Sequence, residues 1–442
     1  MKNWSPQISS PEQSLTDWVA AHRRPMTSVL RRLKFVLDLF SISPYIPRTM
    51  TTVLEITADR RLLRGRGALS NAVGRYEKQT RALVDDGWSS GQAMSPSTLP
   101  SGRATELRTD DGWRDDDLAP PPLRTEVTRD STRTIIARNT SPDISFDRSI
   151  NPYRGCEHGC IYCFARPTHA YLGMSPGADF ESRLFAKPNA AELLAKELSA
   201  PGYVPKLIAI GTNTDAYQPI EKKMRIMRSI LEVLRDFKHP VGIVTKSPLV
   251  LRDIDILSDM AREGLAKVAL SVTTLDRKLA RTMEPRAGTP QRRLQAIRAL
   301  SEAGIPTGVM FAPVIPALND GEMETVLGAA AECGARTAGY VLLRLPLEIK
   351  DLFREWLEVN EPGRAKHVMS LIRQMRGGKD YDAQWNVRMK GTGPYAEMIA
   401  RRFQMAVKRL GLNKESRPLT VAKFRRPPRT GDQLSLFGGE AA

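Results

Sequence analysis

Arg154-Gly155-Cys156-Glu157-His158-Gly159-Cys160-Ile161-Tyr162-Cys163-Phe164 places three cysteines within eight residues at the spacing Cys-x3-Cys-x2-Cys. Three thiolates on a short glycine-containing loop can ligate three irons of a [4Fe-4S] cubane, because such clusters take a cysteine sulfur at each iron. The fourth iron is then open. The alternative is zinc, with His158 or the one remaining cysteine, Cys333, as fourth ligand. Zinc sites of this kind usually pair two Cys-x2-Cys elements, and the sequence has no second pair, so the cluster reading leads. Three crowded cysteines out of four are wrong for a secreted disulfide framework, and they point to a reducing compartment, the cytoplasm.

Outward from this loop, short β-branched runs alternate with amphipathic helical stretches, the rhythm of a parallel sheet. Strands are expected at 146–154, 207–212, 241–246, 268–274, 307–313 and 339–345, and helices at 189–198, 221–237 and 290–303, with Gly304 closing the last. Further helices are expected at 351–356, 364–375 and 394–410. The fold class is α/β. Six successive βα units fit a partial (β/α)6 barrel of the TIM type, with an N-terminal extension and C-terminal helices, better than an open doubly wound sheet.

The flanks are less regular. Residues 1–50 form a leader in which Leu30, Leu33, Val36, Leu37 and Phe40 fall near helical spacing before Pro44 and Pro47. Arg31, Arg32, Lys34 and Asp38 interrupt its apolar stretches, and no small-residue cleavage site follows, so a signal peptide is not expected. An extended segment, 51–134, carries Asp-Asp-Gly-Trp twice, ending at Trp88 and Trp113. The barrel takes 135–346, a helical region 347–412, and a basic flexible tail 413–442. The chain is 442 residues long with 41% hydrophobic residues, and its apolar runs are too short and too often broken by charge to span a bilayer. The net charge of +17 favours an anionic partner, and nucleic acid is the commonest one.

The cysteine motif, its place at the end of the first strand and the later strands together resemble the spore photoproduct lyase-like branch of the radical S-adenosylmethionine superfamily. The likeness is closest to a widespread bacterial group of unsettled substrate. It extends over residues 65–412, including Gly65-Arg66-Gly67-Ala68. It implies that the open iron chelates S-adenosylmethionine, and that an electron from the reduced cluster breaks the sulfonium to give a 5′-deoxyadenosyl radical. It also implies an electron donor, a reductase or a ferredoxin or flavodoxin. Ligands of such barrels sit at the C-terminal strand ends. There Thr212, Asn213 and Asp215 resemble the segment at the cofactor's methionine end, Lys246 the residue pairing with its carboxylate, and Ser271 and Thr273 contacts to carboxylate or ribose. Tyr162 has an aromatic face for adenine. Each of these polar residues could instead cap the following helix, the commoner use of its type. Glu284, Arg286 and Arg293 resemble the next element.

One departure matters. Photoproduct lyases carry a hydrogen-donating cysteine at the end of the second strand, where this sequence has Thr212 and Asn213. The same relay is therefore not expected, and Tyr217 or Tyr340 are the alternatives.

The leading functional reading is a radical enzyme acting on nucleic acid, of DNA-repair or base-modifying type, held by the basic C-terminal region. Radical chemistry on a protein or small metabolite is the second, and a non-catalytic DNA-associated iron-sulfur or zinc protein the third. Near the C-terminus, Gln433-Leu434-Ser435-Leu436-Phe437 resembles the short peptide by which bacterial replication and repair proteins dock on the sliding clamp. Gln433 would fix register while Leu434, Leu436 and Phe437 fill an apolar pocket.

Overall fold

Six parallel strands form in the expected regions, except that the strand expected over 146–154 divides into Arg148–Ile150, which joins this sheet, and Tyr153–Arg154, which joins another. The six are β3 (Arg148–Ile150), β6 (Ile208–Ile210), β7 (Val241–Thr245), β8 (Ala266–Ser271), β9 (Thr307–Val314) and β10 (Thr337–Leu342). The computed structural model describes residues 65–77, 124–414 and 418–428. The leader, both Asp-Asp-Gly-Trp copies and the 433–437 tail motif lie outside them. The sheet order is β10-β9-β8-β7-β6-β3, with β2 (Ile136–Arg138) added antiparallel on β3. Residues of β6 and β7 are buried on both faces, as parallel strands sandwiched between a core and a helix layer must be.

The helices Ala190–Leu198, Ile226–Asp236, Ile254–Arg262, Pro290–Glu302 and Met323–Glu332 connect successive strands and bury Leu, Ile and Met faces in one core. Gly304 closes the fourth of them, its N–H donating to Ser301 while that of Ile305 donates to Leu300. The single helix expected over 221–237 is instead two, broken at Arg225. The cause is Glu221, whose buried carboxylate accepts the N–H groups of Ile226 and Met227, both at 3.1 Å, and so caps the second helix.

A second sheet was not anticipated. The strands β1 (Glu126–Arg129), β5 (Arg183–Ala186) and β4 (Tyr153–Arg154) pair in the order β1-β5-β4, and the cysteine loop leaves from the end of β4. Helices Ile349–Asn360 and Pro362–Gln374 cover a second apolar cluster, which includes Ile161, Tyr162, Met283, Leu343, Leu345 and Trp356. The last helix, Pro394–Leu410, holds Met323–Glu332 through Arg402 and Glu324. Among the described residues no helix is long and apolar enough to cross a membrane.

After that helix the chain runs along the N-terminal ends of the strands. Asn413 bonds the backbone of Arg336 and Ala338, Thr420 that of Gly264, and Arg425 that of Phe237. Phe424 packs on Tyr203, Phe237 and His239. The described part of the basic C-terminal segment therefore closes the end of the barrel opposite the cysteine loop. It does not hold a substrate at the C-terminal strand ends.

Candidate active site

The C-terminal ends of all six parallel strands surround one cavity of about 690 Å³, within the range that small-molecule sites occupy. Ser149 of β3 and Val341 and Leu342 of β10 line it together, although they stand five places apart in the sheet order, so the sheet must curl around it. This is the barrel geometry; an open sheet would put these ends on separate faces.

Cys156, Cys160 and Cys163 all line this cavity. Cys156 N–H donates to Phe180 and Cys163 N–H to Cys160, at 2.9 and 3.1 Å, while Ile161 N–H donates to Met283 at 3.0 Å. Gln218 grips the loop from a third side: its carbonyl accepts from Glu157 N–H at 2.8 Å and its amide donates to Gly155 at 3.2 Å. Arg166, fully buried, donates to the carbonyls of Cys160 and Gly177, each at 2.9 Å, and pairs with the equally buried Glu181. Glu181 also accepts the N–H groups of Gly67 and Ala68, at 2.9 and 2.8 Å. Gly159 has φ +67°, and a Cβ on Gly67 would lie 1.6 Å from its carbonyl oxygen. The Gly65-Arg66-Gly67-Ala68 element is thus a backing to the cysteine loop. Two adjacent glycines make that approach possible.

Burial pushes the Cys156 and Cys160 thiols upward, reinforced at Cys156 by Asp215 and the neighbouring sulfurs. Metal coordination has to displace these protons. Of the two extra ligands of the zinc reading, Cys333 ends the helix before β10, outside the cavity, whereas His158 lines the cavity with Nδ1 facing Asp215 at 3.4 Å. Among the described residues no three His, Cys, Asp or Glu side chains close on a single metal ion. A cubane takes its thiolates at three separate irons, so three sulfurs that line one cavity without closing on a single point fit the cluster.

Of the other expected residues, Tyr162, Thr212, Asn213, Asp215, Lys246 and Ser271 line the same cavity. Lys246 Nζ stands 5.7 Å from the centre of the Tyr162 ring, and the Tyr162 hydroxyl donates to Glu284. The Ser271, Thr212 and Asn213 side chains have no hydrogen-bond partner among the described residues. Asp215 is fully engaged. Its oxygens accept from Thr245 Oγ1 at 2.7 Å, Lys246 N–H at 2.8 Å and Tyr217 N–H at 2.9 Å, besides facing His158. Burial alone would raise its carboxyl, but His158 and these donors hold it well below the usual range.

Thr273 does not line the cavity; its hydroxyl donates to Glu284 at 2.7 Å. Glu284 in turn pairs with buried Arg293, which donates to the Ser271 carbonyl at 3.0 Å, so these residues tie the end of β8 to the helix after it. Neither alternative relay reaches the cavity. Tyr217 is buried with its hydroxyl 3.2 Å from Asp253, and Tyr340 lies on the helix side of β10 against Phe403. What the motifs did not indicate are Met310, Arg344, Arg388 and Met389, which also line the cavity, Arg344 over the ring of Phe164 next to Cys163.

A curled parallel sheet whose strand ends enclose three thiols and an open cavity defines a partial-barrel enzyme built around a thiolate-held centre. The Radical SAM superfamily profile matches residues 150–330. An uncharacterized protein of Mycobacterium tuberculosis is 38% identical over 233 residues, 52% of this chain and 68% of the relative. One of Methanocaldococcus jannaschii is 30% identical over 48% of this chain and 76% of its own. The chain belongs to the radical SAM superfamily, whose members use S-adenosylmethionine and a [4Fe-4S] cluster, and it is an enzyme of radical chemistry. Among solved structures, a spore photoproduct lyase variant superposes with a TM-score of 0.48 and 17% identity, over 65% of this chain and 80% of that one.

Proposed function

We propose that the chain is a cytoplasmic radical S-adenosylmethionine enzyme acting on nucleic acid, with its cluster on Cys156, Cys160 and Cys163. When bound, the cluster and S-adenosylmethionine supply one-electron reductive cleavage of the cofactor's sulfonium, with electrons from a reductase, ferredoxin or flavodoxin. Lys246, at the end of β7, holds the cofactor's carboxylate, and Ser271, Thr212 and Asn213 offer it their unpartnered polar groups. Tyr162 lies against adenine. Asp215 positions Lys246 and His158 from behind, because its own oxygens are already occupied.

The nucleic-acid part rests on the sign of the cavity lining. Two cations without an ion-pair partner among the described residues, Lys246 and Arg344, line it with Arg388, which is paired with Asp143, against one lining carboxylate, Asp215, in a chain of net charge +17. An anionic substrate suits such a lining. The tail motif Gln433, Leu434, Leu436 and Phe437 would deliver the enzyme to DNA by docking on the sliding clamp. The test is anaerobic reconstitution followed by tracking of deuterium from labelled oligonucleotides into 5′-deoxyadenosine. Transfer from a damaged or modified base supports the reading. Turnover of the cofactor with label arriving only from a peptide or metabolite would replace it.

A further inference from the structure

Beyond β10 the chain alternates. Leu343 and Leu345 are buried in the second core, so Arg344 between them is turned to the cavity, which it lines. Its guanidinium lies 3.9 Å from the centre of the Phe164 ring, and Phe164 is itself 41% exposed. Stacking uses the flat face of a guanidinium and leaves its N–H edge available for a planar oxyanion.

That edge has no carboxylate partner. The one acid close by, Asp143, accepts from Arg388 and, at 2.6 Å, from the Asn386 N–H, so its oxygens are taken. No carboxylate lies within ion-pair distance of Arg344 among the described residues, and burial works against its charge. Tyr381, Cys163 and Asp143 favour the charge from a distance without an ion pair, so an anionic group entering the cavity can still meet the guanidinium directly. Lys246 stands three strands away in the sheet order and approaches the cysteine loop at Tyr162, whereas Arg344 approaches it at Phe164, so two separate anionic groups can be met on the two sides of the loop.

We propose that Arg344, stacked on Phe164, is an oxyanion-recognition residue for the substrate, distinct from the Lys246 side of the cavity. The source of the oxyanion, a phosphodiester, rests on the nucleic-acid reading above. Binding of three probes to the reconstituted holoenzyme tests it: thymidylyl-thymidine, its uncharged methylphosphonate counterpart, and N-acetylglutamate. Arg344→Gln should weaken thymidylyl-thymidine by about ten- to a hundredfold, the effect of losing a charge-assisted contact, and leave the methylphosphonate unchanged. Arg344→Lys, which keeps charge but loses the fork, should fall between. Iron content and S-adenosylmethionine affinity should match the parent in both variants. Selective loss of N-acetylglutamate binding would keep the anion site and end the nucleic-acid reading. The inference is overturned if no probe binds the parent, if charged and uncharged probes are affected alike, or if only iron content or cofactor affinity changes.

Discussion

Arg166 and Glu181 form an ion pair in which neither side chain has any exposed surface, directly behind the cysteine loop. Each also makes backbone contacts that join separate segments: Arg166 to the loop and to residues 176–177, Glu181 to residues 67 and 68. Removing one partner leaves the other charge buried without compensation, which costs about 3–5 kcal/mol.

Glu181→Gln should therefore lower the urea unfolding free energy of the cluster-free protein by about 3 kcal/mol and reduce iron uptake on reconstitution. The exposed pair Arg262 and Asp259 is the control, and breaking it should change stability by less than about 1 kcal/mol. Equal effects at the two sites would show that the buried pair does not brace the loop.

Replacing Cys156, Cys160 or Cys163 by Ala should abolish assembly of about four irons per chain and the change in reduced-cluster spectrum on adding S-adenosylmethionine. Cys333→Ala should leave both intact, since Cys333 lies outside the cavity. Iron and spectrum are measured after anaerobic reconstitution. Tightly held zinc with no assembled cluster would contradict the assignment.

Lys246→Ala should weaken S-adenosylmethionine binding by about tenfold, the effect of one lost charge-assisted hydrogen bond, with iron content unchanged. Its backbone N–H, not its ammonium, is what Asp215 holds, so the fold at the end of β7 should survive the substitution. Unaltered affinity in a fully loaded variant would remove Lys246 from the cofactor's carboxylate.

The strands β6 and β7 are legible in the sequence because strands buried on both faces read as continuous apolar runs, whereas the first expected strand, 146–154, divides between two sheets. The strands β1, β4 and β5 are not: β1 is exposed along its length and β4 has two residues, so no periodicity marks them. Six of the seven non-cysteine cofactor positions reach the cavity because strand-end placement is a topological rule. Thr273 fails because it faces Glu284, a buried acid that local sequence cannot reveal. Arg166 and Glu181 read as surface charges until tertiary contacts bury them. Arg344 did carry a signal: one cation between two core leucines at the end of a barrel strand.

A peptide spanning residues 429–442 should bind the purified sliding clamp at micromolar strength, about 8 kcal/mol, and substituting Leu436 and Phe437 by Ala should remove it. Fluorescence anisotropy measures this directly. Absence of binding by both peptide and full-length protein would end clamp docking and leave the cavity charge as the remaining support for DNA.

His239 links pH to the closed end of the barrel. Burial lowers its pKa to about 4 from an ordinary 6.5, with Arg148 acting in the same direction. Nδ1 faces the Pro240 carbonyl at 3.0 Å, so in the neutral ring it carries the proton and Nε2 accepts from Tyr203 at 2.7 Å. Phe424 packs edge-on against the ring, 5.6 Å between centres. The folded state thus favours neutral imidazole, and between the two pKa values the unfolded chain binds the proton more readily. The stabilisation is complete above about pH 6.5, falls as pH drops toward 4, and is lost below it, amounting to at most about 3 kcal/mol. His239→Gln should flatten this part of the stability profile measured by urea unfolding. In the parent, amide exchange protection at Thr420 and Arg425, whose N–H groups bond Gly264 and Phe237, should fall over the same interval. A parent and variant with parallel profiles from pH 4 to 6.5 would show that His239 does not carry the linkage.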